Sequence, residues 1–376
     1  MPSVLTHLFL CFLVAAMSTG CQKTPEAWNS SKPFKTQIVV GSATGLQFQI
    51  VELEGVQNQK TLEGEVVEFY LAPGEQNSEL VGPHAVAKFI QNSEGVFIPT
   101  NSLSLQMVSL YYHMQALKKL EIQSLGKTFV KWPRKIGLQV KTNSAETRFN
   151  NAFYNNKLDV MFFVPYVDQE LPLPLNGGII AHEHFHSYFS YSILQKSLAS
   201  DVLPIEDYFL KSINEGLADV WGWIYSDNPD FISLSLPDLA GPRKLEQPSF
   251  FRKPVLKTKK DMESDLNLVE QECKRLSWCN SADQLTLGLA YSNGTALART
   301  LKDFLTRQNL TQEDKAKKIF LLLEQLNSLN LKKELDFESL LVEWAGLFDS
   351  LSDESCKILK NAIKTEEIKN QICLSF

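Results

Sequence analysis

Residues 182–186 read His182-Glu183-His184-Phe185-His186, and this stretch decides more about the chain than any other. It fits H-E-x-x-H. On a helix, positions i and i+4 share a face, so His182 and His186 can direct imidazole nitrogens at one Zn²⁺. Glu183 adjoins the first of them, where its carboxylate reaches a water in an open coordination position. Zinc lowers the pKa of such a water toward about 7, and Glu183 is the expected general base. His184 points away from that face and is expected to be a packed or surface histidine. Three of the chain's six histidines fall within these five residues, which weighs against scattered core histidines. The apolar flanks Gly178-Ile179-Ile180-Ala181 and Phe185, Tyr188 and Phe189 predict a buried helix over 178–195.

Two histidines leave zinc short of a third protein ligand. Downstream, Asn214-Glu215-Gly216-Leu217-Ala218-Asp219 lies on a helical stretch. Glu215 is the candidate third ligand of a His₂Glu site. Asp219, one turn on, is placed to accept the free N–H of His182 or His186 and fix its tautomer. The plainer alternative is a solvated glutamate and an aspartate in an ordinary ion pair. One Zn²⁺ per chain is expected.

Upstream, residues 37–100 alternate and favour strands, with turns such as Pro73-Gly74 between them. Over 103–125 the period changes: Met107, Leu110, Tyr111, Met114, Leu117 and Leu120 form an amphipathic stripe that ends at Gly126. Strands are expected again in 128–165, at TFVKW, IGLQVKT and LDVMFFVPYV. Helices follow at about 205–226, 260–276, 283–307, 311–330, 336–350 and 353–368, with Thr311 and Asp314 as a capping box. The fold class read from this is α+β, β structure first and helices last. Its parts are a signal peptide (1–20), a tether (21–36), a small β unit (37–100), a β-rich lobe carrying the zinc helix (101–195) and a mostly helical C-terminal lobe (196–376).

At the N-terminus, the apolar run Leu8–Met17 has the length of a signal-peptide core and is too short to span a bilayer. Ser18-Thr19-Gly20-Cys21 follows it and looks like a bacterial lipobox. Cys21 would then carry a lipid that anchors the chain to a membrane; plain secretion is the alternative. Cys273, Cys279, Cys356 and Cys373 remain, an even number in an exported chain, so disulfides are expected. Three pairings are possible, Cys273–Cys279 with Cys356–Cys373 being the simplest. The 376 residues, 44% of them hydrophobic, suffice for two domains or one two-lobed one. A net charge of -6 supplies no basic excess for phosphate neutralisation and speaks against a nucleic-acid partner.

H-E-x-x-H followed by N-E-G-x-x-D resembles the gluzincin metallopeptidases, in particular the thermolysin-like and fungalysin-like families. Asn151-Ala152-Phe153-Tyr154, ahead of Val160–Val164, looks like the edge strand that binds the substrate backbone in thermolysin-like enzymes, which implies substrate contacts at Asn151 and Ala152. Ala240-Gly241-Pro242-Arg243 resembles a fungalysin segment and implies that Arg243 binds a substrate carbonyl. Tyr291-Ser292-Asn293-Gly294 resembles the family's H-x-x-G stretch but departs from it: Tyr291 stands where the family has its oxyanion-stabilising histidine. A phenol can donate the same hydrogen bond. The resemblance covers about residues 101–310 and implies a two-lobed zinc peptidase acting on peptides or proteins; the sequence has no G-x-M-E-N aminopeptidase strand, which leans toward an endopeptidase and leaves exopeptidase action open. Two other readings remain: a zinc-binding envelope lipoprotein without turnover, and an envelope protein whose working part is the β unit at 37–100.

Overall fold

A computed structural model of the chain describes residues 33–42, 45–141, 150–167, 171–194, 203–239, 243–246, 256–275, 282–328, 336–347 and 353–371. The expected signal peptide, the expected lipid site Cys21, and Cys279 and Cys373 lie outside the described residues. The fold is mixed α+β, with a β-rich N-terminal part and a helical C-terminal part. Among the described residues no helix is long and apolar enough to cross a membrane. The chain divides into two compact units, the first comprising residues up to Ser187 plus Phe231–Asp238 and the second Tyr188–Asp230 plus Leu239 onward.

In the first unit the strands run β1 (Phe34–Ser42), β2 (Gly45–Leu53), β3 (Val56–Asn58), β4 (Glu63–Gly64), β5 (Val67–Leu71), β6 (Gly74–Gln76), β7 (Glu79–Val81), β8 (Phe89–Gln91), β9 (Phe97–Pro99), β10 (Arg134–Leu138), β11 (Ala152–Asn155) and β12 (Val160–Phe163). One four-stranded sheet has the order β2-β1-β9-β8, a second β11-β12-β10-β5. Alternation on β1 puts Phe34, Thr36 and Ile38 fully inside. Phe34 stacks on Phe97 at 4.6 Å, and the Thr36 hydroxyl donates to the Phe97 carbonyl at 2.8 Å. β5 belongs to the 37–100 segment, yet it pairs in parallel with β10, Val67 opposite Arg134 through Leu71 opposite Leu138. The segment is therefore shared between two sheets and supplies a strand to the one that continues through 134–163.

The first helix, α1 (Ser102–Leu125), begins where the Asn101 side chain accepts from the Ser104 amide at 2.8 Å and ends at Gly126, whose φ of 70° suits a left-handed cap. All six residues of its expected stripe are buried. The Tyr111 hydroxyl donates to the Glu54 carbonyl at 2.7 Å, and the Gln115 side chain accepts from the Glu54 amide at 2.7 Å, which fastens the helix to the end of β2. TFVKW (128–132) is not a strand. The Glu121 carboxylate accepts from the Phe129 and Val130 amides and from the Trp132 indole, so a side chain takes the bonds a neighbouring strand would have made.

The metal-motif helix α2 (Gly177–Phe189) runs on into a π-helical turn at Ser190–Leu194, and the division between units falls within it. The second unit then holds α3 (Pro204–Ser226), α4 (Lys259–Arg275), α5 (Ala282–Arg307), α6 (Gln312–Ser328), α7 (Phe337–Ala345), α8 (Asp353–Ala362) and α9 (Glu366–Gln371). Its core includes Tyr188, Trp221 and Phe320, mutually edge-on at 5.0–5.5 Å. The expected helix over 353–368 is interrupted between α8 and α9, where the buried Glu338 carboxylate accepts from the Lys364 and Thr365 amides. Thr311 caps α6 as expected, its hydroxyl accepting from the Asp314 amide at 3.1 Å.

Candidate metal centre

In the first unit, α2 is started by Asn176. Its side-chain oxygen accepts from the amides of Gly178 (3.1 Å) and Ile179 (3.3 Å), while its amide nitrogen donates to the Phe231 carbonyl (2.8 Å) and the Ser235 hydroxyl (2.9 Å). The Phe231 ring lies against Gly178, where a Cβ would come within 2.5 Å of it. Ile180, Ala181 and Phe185 are fully buried, so the helix is held on its apolar sides and cannot turn freely about its axis.

That orientation sets the histidines. The Nε2 atoms of His182 and His186 are 3.2 Å apart, with the rings at 89° to one another. Glu183 Oε2 lies 4.0 Å from His186 Nε2, and one donor atom from each of the three residues falls within 4.8 Å of the others. His182 is 5% and Glu183 7% exposed, so the cluster is largely withdrawn from water. Two imidazoles and a carboxylate converging in this way can hold a metal ion.

His184 has a different job. It is fully buried, its Nδ1 is 3.1 Å from the Ser187 hydroxyl, and its ring meets the Trp132 indole edge-on at 5.3 Å. Burial, with Arg134 nearby, pushes its pKa down to about 3, so it packs as a neutral ring.

β11, the segment compared above to a substrate-binding strand, lies at the edge of its sheet. The Asn151 carbonyl accepts from the Val164 amide at 2.9 Å and thus faces inward. In an antiparallel ladder the next residue faces the other way, so Ala152 and Tyr154 direct their peptide groups outward from the sheet. The Tyr154 hydroxyl donates to Asp159 at 2.8 Å, and Asp159 in turn accepts from the fully buried Arg134 at 2.6 Å, which stiffens this edge.

The second unit brings together four residues singled out from three separate stretches of sequence. Arg243 Nη2 donates to Asp219 Oδ1 at 2.6 Å and lies 3.5 Å from Glu215 Oε2. The same guanidinium sits over the Tyr291 ring, 4.6 Å from its centroid. Asp219 is 1% exposed. Burial acts to lower the Arg243 pKa, but Asp219, Glu215 and Tyr291 outweigh it and hold the guanidinium above its ordinary value. Ala240, Gly241 and Pro242 lie outside the described residues. Two glycines make the grouping possible. α3 and α5 cross with Gly216 against Gly294, and a Cβ on Gly216 would stand 2.6 Å from the Gly294 carbonyl oxygen.

Sequence reading missed Asn176 and the Gly216–Gly294 crossing. Asn176 left a usable signal, an asparagine just ahead of a glycine-led apolar run. The glycines left only their presence in two motifs.

Neither a protein-family model nor a curated protein sequence matches the chain.

Proposed function

We propose that the chain is a zinc-dependent peptidase, most simply an endopeptidase, exported and lipid-anchored through Cys21. The observation that carries this reading is the paired Nε2 atoms of His182 and His186 with Glu183 beside them. A tetrahedral ion with zinc–nitrogen bonds of about 2.0–2.1 Å sets two ligand nitrogens about 3.3–3.4 Å apart. The observed 3.2 Å fits that donor set.

In this proposal His182 and His186 hold the ion and Glu215 is the third protein ligand. When bound, zinc lowers the pKa of a coordinated water to about 7. Glu183 takes the proton of the attacking water and returns it to the leaving amine. The outward peptide groups of Ala152 and Tyr154 accept the substrate backbone as an added strand, with the Asn151 side chain beside it. Arg243 and Tyr291 are the candidate contacts for substrate carbonyl and oxyanion, and Asp219 keeps Arg243 in place. The competing reading is a zinc-binding envelope protein without turnover, favoured by the Arg243 guanidinium on the face of Tyr291.

The test is elemental analysis of the purified chain beside a quenched-peptide cleavage assay. One zinc per chain, lost in Glu215→Ala, with chelator-sensitive cleavage, supports the peptidase. Glu183→Gln is expected to keep the metal and lose roughly 10²–10⁴-fold in turnover. Stoichiometric zinc without cleavage supports the competing reading, and a chain that takes up no zinc sinks both.

A further inference from the structure

The carboxylate proposed as the third metal ligand already has a cation beside it. Arg243 Nη2 lies 3.5 Å from Glu215 Oε2, longer than a good hydrogen bond, while the same nitrogen donates to Asp219 Oδ1 at 2.6 Å. Glu215 and Asp219 stand one turn apart on α3, and the guanidinium reaches both. The Glu215 and Arg243 side chains are 12% and 14% exposed and Asp219 is buried. Water screens little there, so a charge placed among them is felt strongly.

The two contacts differ in kind. The Asp219 bond is short and charge-assisted, and the Tyr291 ring backs the guanidinium at 4.6 Å. The Glu215 contact is long. The buried Arg243 Nε makes no hydrogen bond, so the guanidinium is fastened at Nη2 rather than clamped along both edges. A guanidinium also keeps its proton, so it cannot neutralise itself to make room. A cation arriving at Glu215 therefore meets a permanent positive charge that Asp219 and Tyr291 hold nearby.

We infer that Arg243 is a built-in competitor of the metal: it balances Glu215 and Asp219 when no ion is bound, yields Glu215 to zinc while staying on Asp219 and Tyr291, and so weakens the zinc affinity of the chain. The inference rests on the reading of Glu215 as the third ligand and adds to it a residue that sets how tightly the ion is held. Two effects share a sign. Removing the guanidinium takes away its repulsion of a dication, and it leaves two neighbouring carboxylates that a dication reconciles.

The test is zinc competition between the purified full chain and a chromophoric chelator of known affinity, with no substrate present. Arg243→Met should bind zinc at least tenfold more tightly than the parent. Arg243→Lys, which returns a cation, should fall back toward the parent. Asp219→Asn should bind more weakly than the parent, because Arg243 then turns wholly to Glu215, and adding Arg243→Met to it should reverse that loss. This second pair carries the test even where Arg243→Met alone folds poorly. Saturating zinc should also narrow the gap in thermal midpoint between the parent and Arg243→Met, the reciprocal of the same linkage. Arg243→Met binding zinc no more tightly than the parent, or the double variant no more tightly than Asp219→Asn, overturns the inference and leaves the ligand reading standing. Arg243→Lys binding as tightly as Arg243→Met overturns it too. A parent chain that takes up no zinc sinks the ligand reading and this inference with it. Affinity and not turnover is read, so loss of the peptidase reading alone does not decide the outcome.

Discussion

Gly294 lies so close to Gly216 that a Cβ added to Gly294 would stand 2.9 Å from the Gly216 amide nitrogen and 2.7 Å from the Ser212 carbonyl oxygen. Backbone meets backbone there, with no flexible side chain to yield. Alanine would favour each helix by up to about 1 kcal/mol, but overpacking costs about 1–3 kcal/mol. Gly294→Ala should therefore lower stability, read as a fall in the urea midpoint. Because Glu215 adjoins the crossing, its Cβ only 3.1 Å from the added carbon, the same variant should also disturb the Arg243 ion pairs.

Arg243 and Asp219 form an ion pair with side chains 14% and 1% exposed. Removing one partner of such a pair costs about 3–5 kcal/mol, because the other charge is stranded. Arg243→Met should approach that figure. Arg243→Met with Asp219→Asn should recover much of it, and a double-mutant cycle by chemical denaturation measures the coupling. Additive losses would show that the pair does not act as a unit.

Two buried groups on α1 give opposite pH responses. Burial pulls His113 down to about 4, so its contribution is present above its unfolded value near 6.5 and is lost as pH falls toward 4. Burial is the largest influence on Glu121, outweighing the lowering effect of its hydrogen bonds, and raises it to about 7. Its contribution is present below about 4.5 and is lost as pH rises through 7. Each is of the order of 3 kcal/mol. The two slopes oppose one another between about pH 4.5 and 6.5, and the parent chain should show a shallow profile there. Glu121→Gln should uncover the histidine slope, a steady loss of stability on acidification, seen by denaturant unfolding at stepped pH. A profile as shallow as the parent's would contradict this.

At the β11 edge, proline at position 152 would remove an outward N–H and leave the inward ladder intact, since the first residue of an edge strand tolerates it. Ala152→Pro should hold its thermal midpoint within a few degrees. Under the peptidase proposal, kcat/KM on extended peptides should fall about tenfold, the equivalent of one backbone hydrogen bond of about 1.4 kcal/mol.

Local patterns carried much of this structure into view. Gly126 ends α1 in plain text, the 182–186 spacing gathers its own histidines, and Asn151-Ala152 announces an edge strand. What stayed hidden depends on partners distant in sequence. Nothing near Val67 says that it pairs beside Arg134, because parallel pairing leaves no turn signature. TFVKW has the composition of a strand, and only the Glu121 side chain, reaching back from α1, takes its amides. Arg243 suggested a substrate contact from its own segment; its bond to Asp219 appears only when α3 is folded. Helix ends behaved likewise, with α8 stopping where Glu338 draws off two amides.

The Asn176 side chain is bonded to Phe231 and Ser235, which arrive more than fifty residues later. A ribosome-bound chain that has just released His186 thus owns every residue of the histidine cluster but not the clasp that starts its helix. Folding during synthesis would have to wait for about fifty further residues, several seconds at 5–20 residues per second. Under the export proposed above, that delay would keep the half-made unit pliant until it reaches the compartment where it is to close.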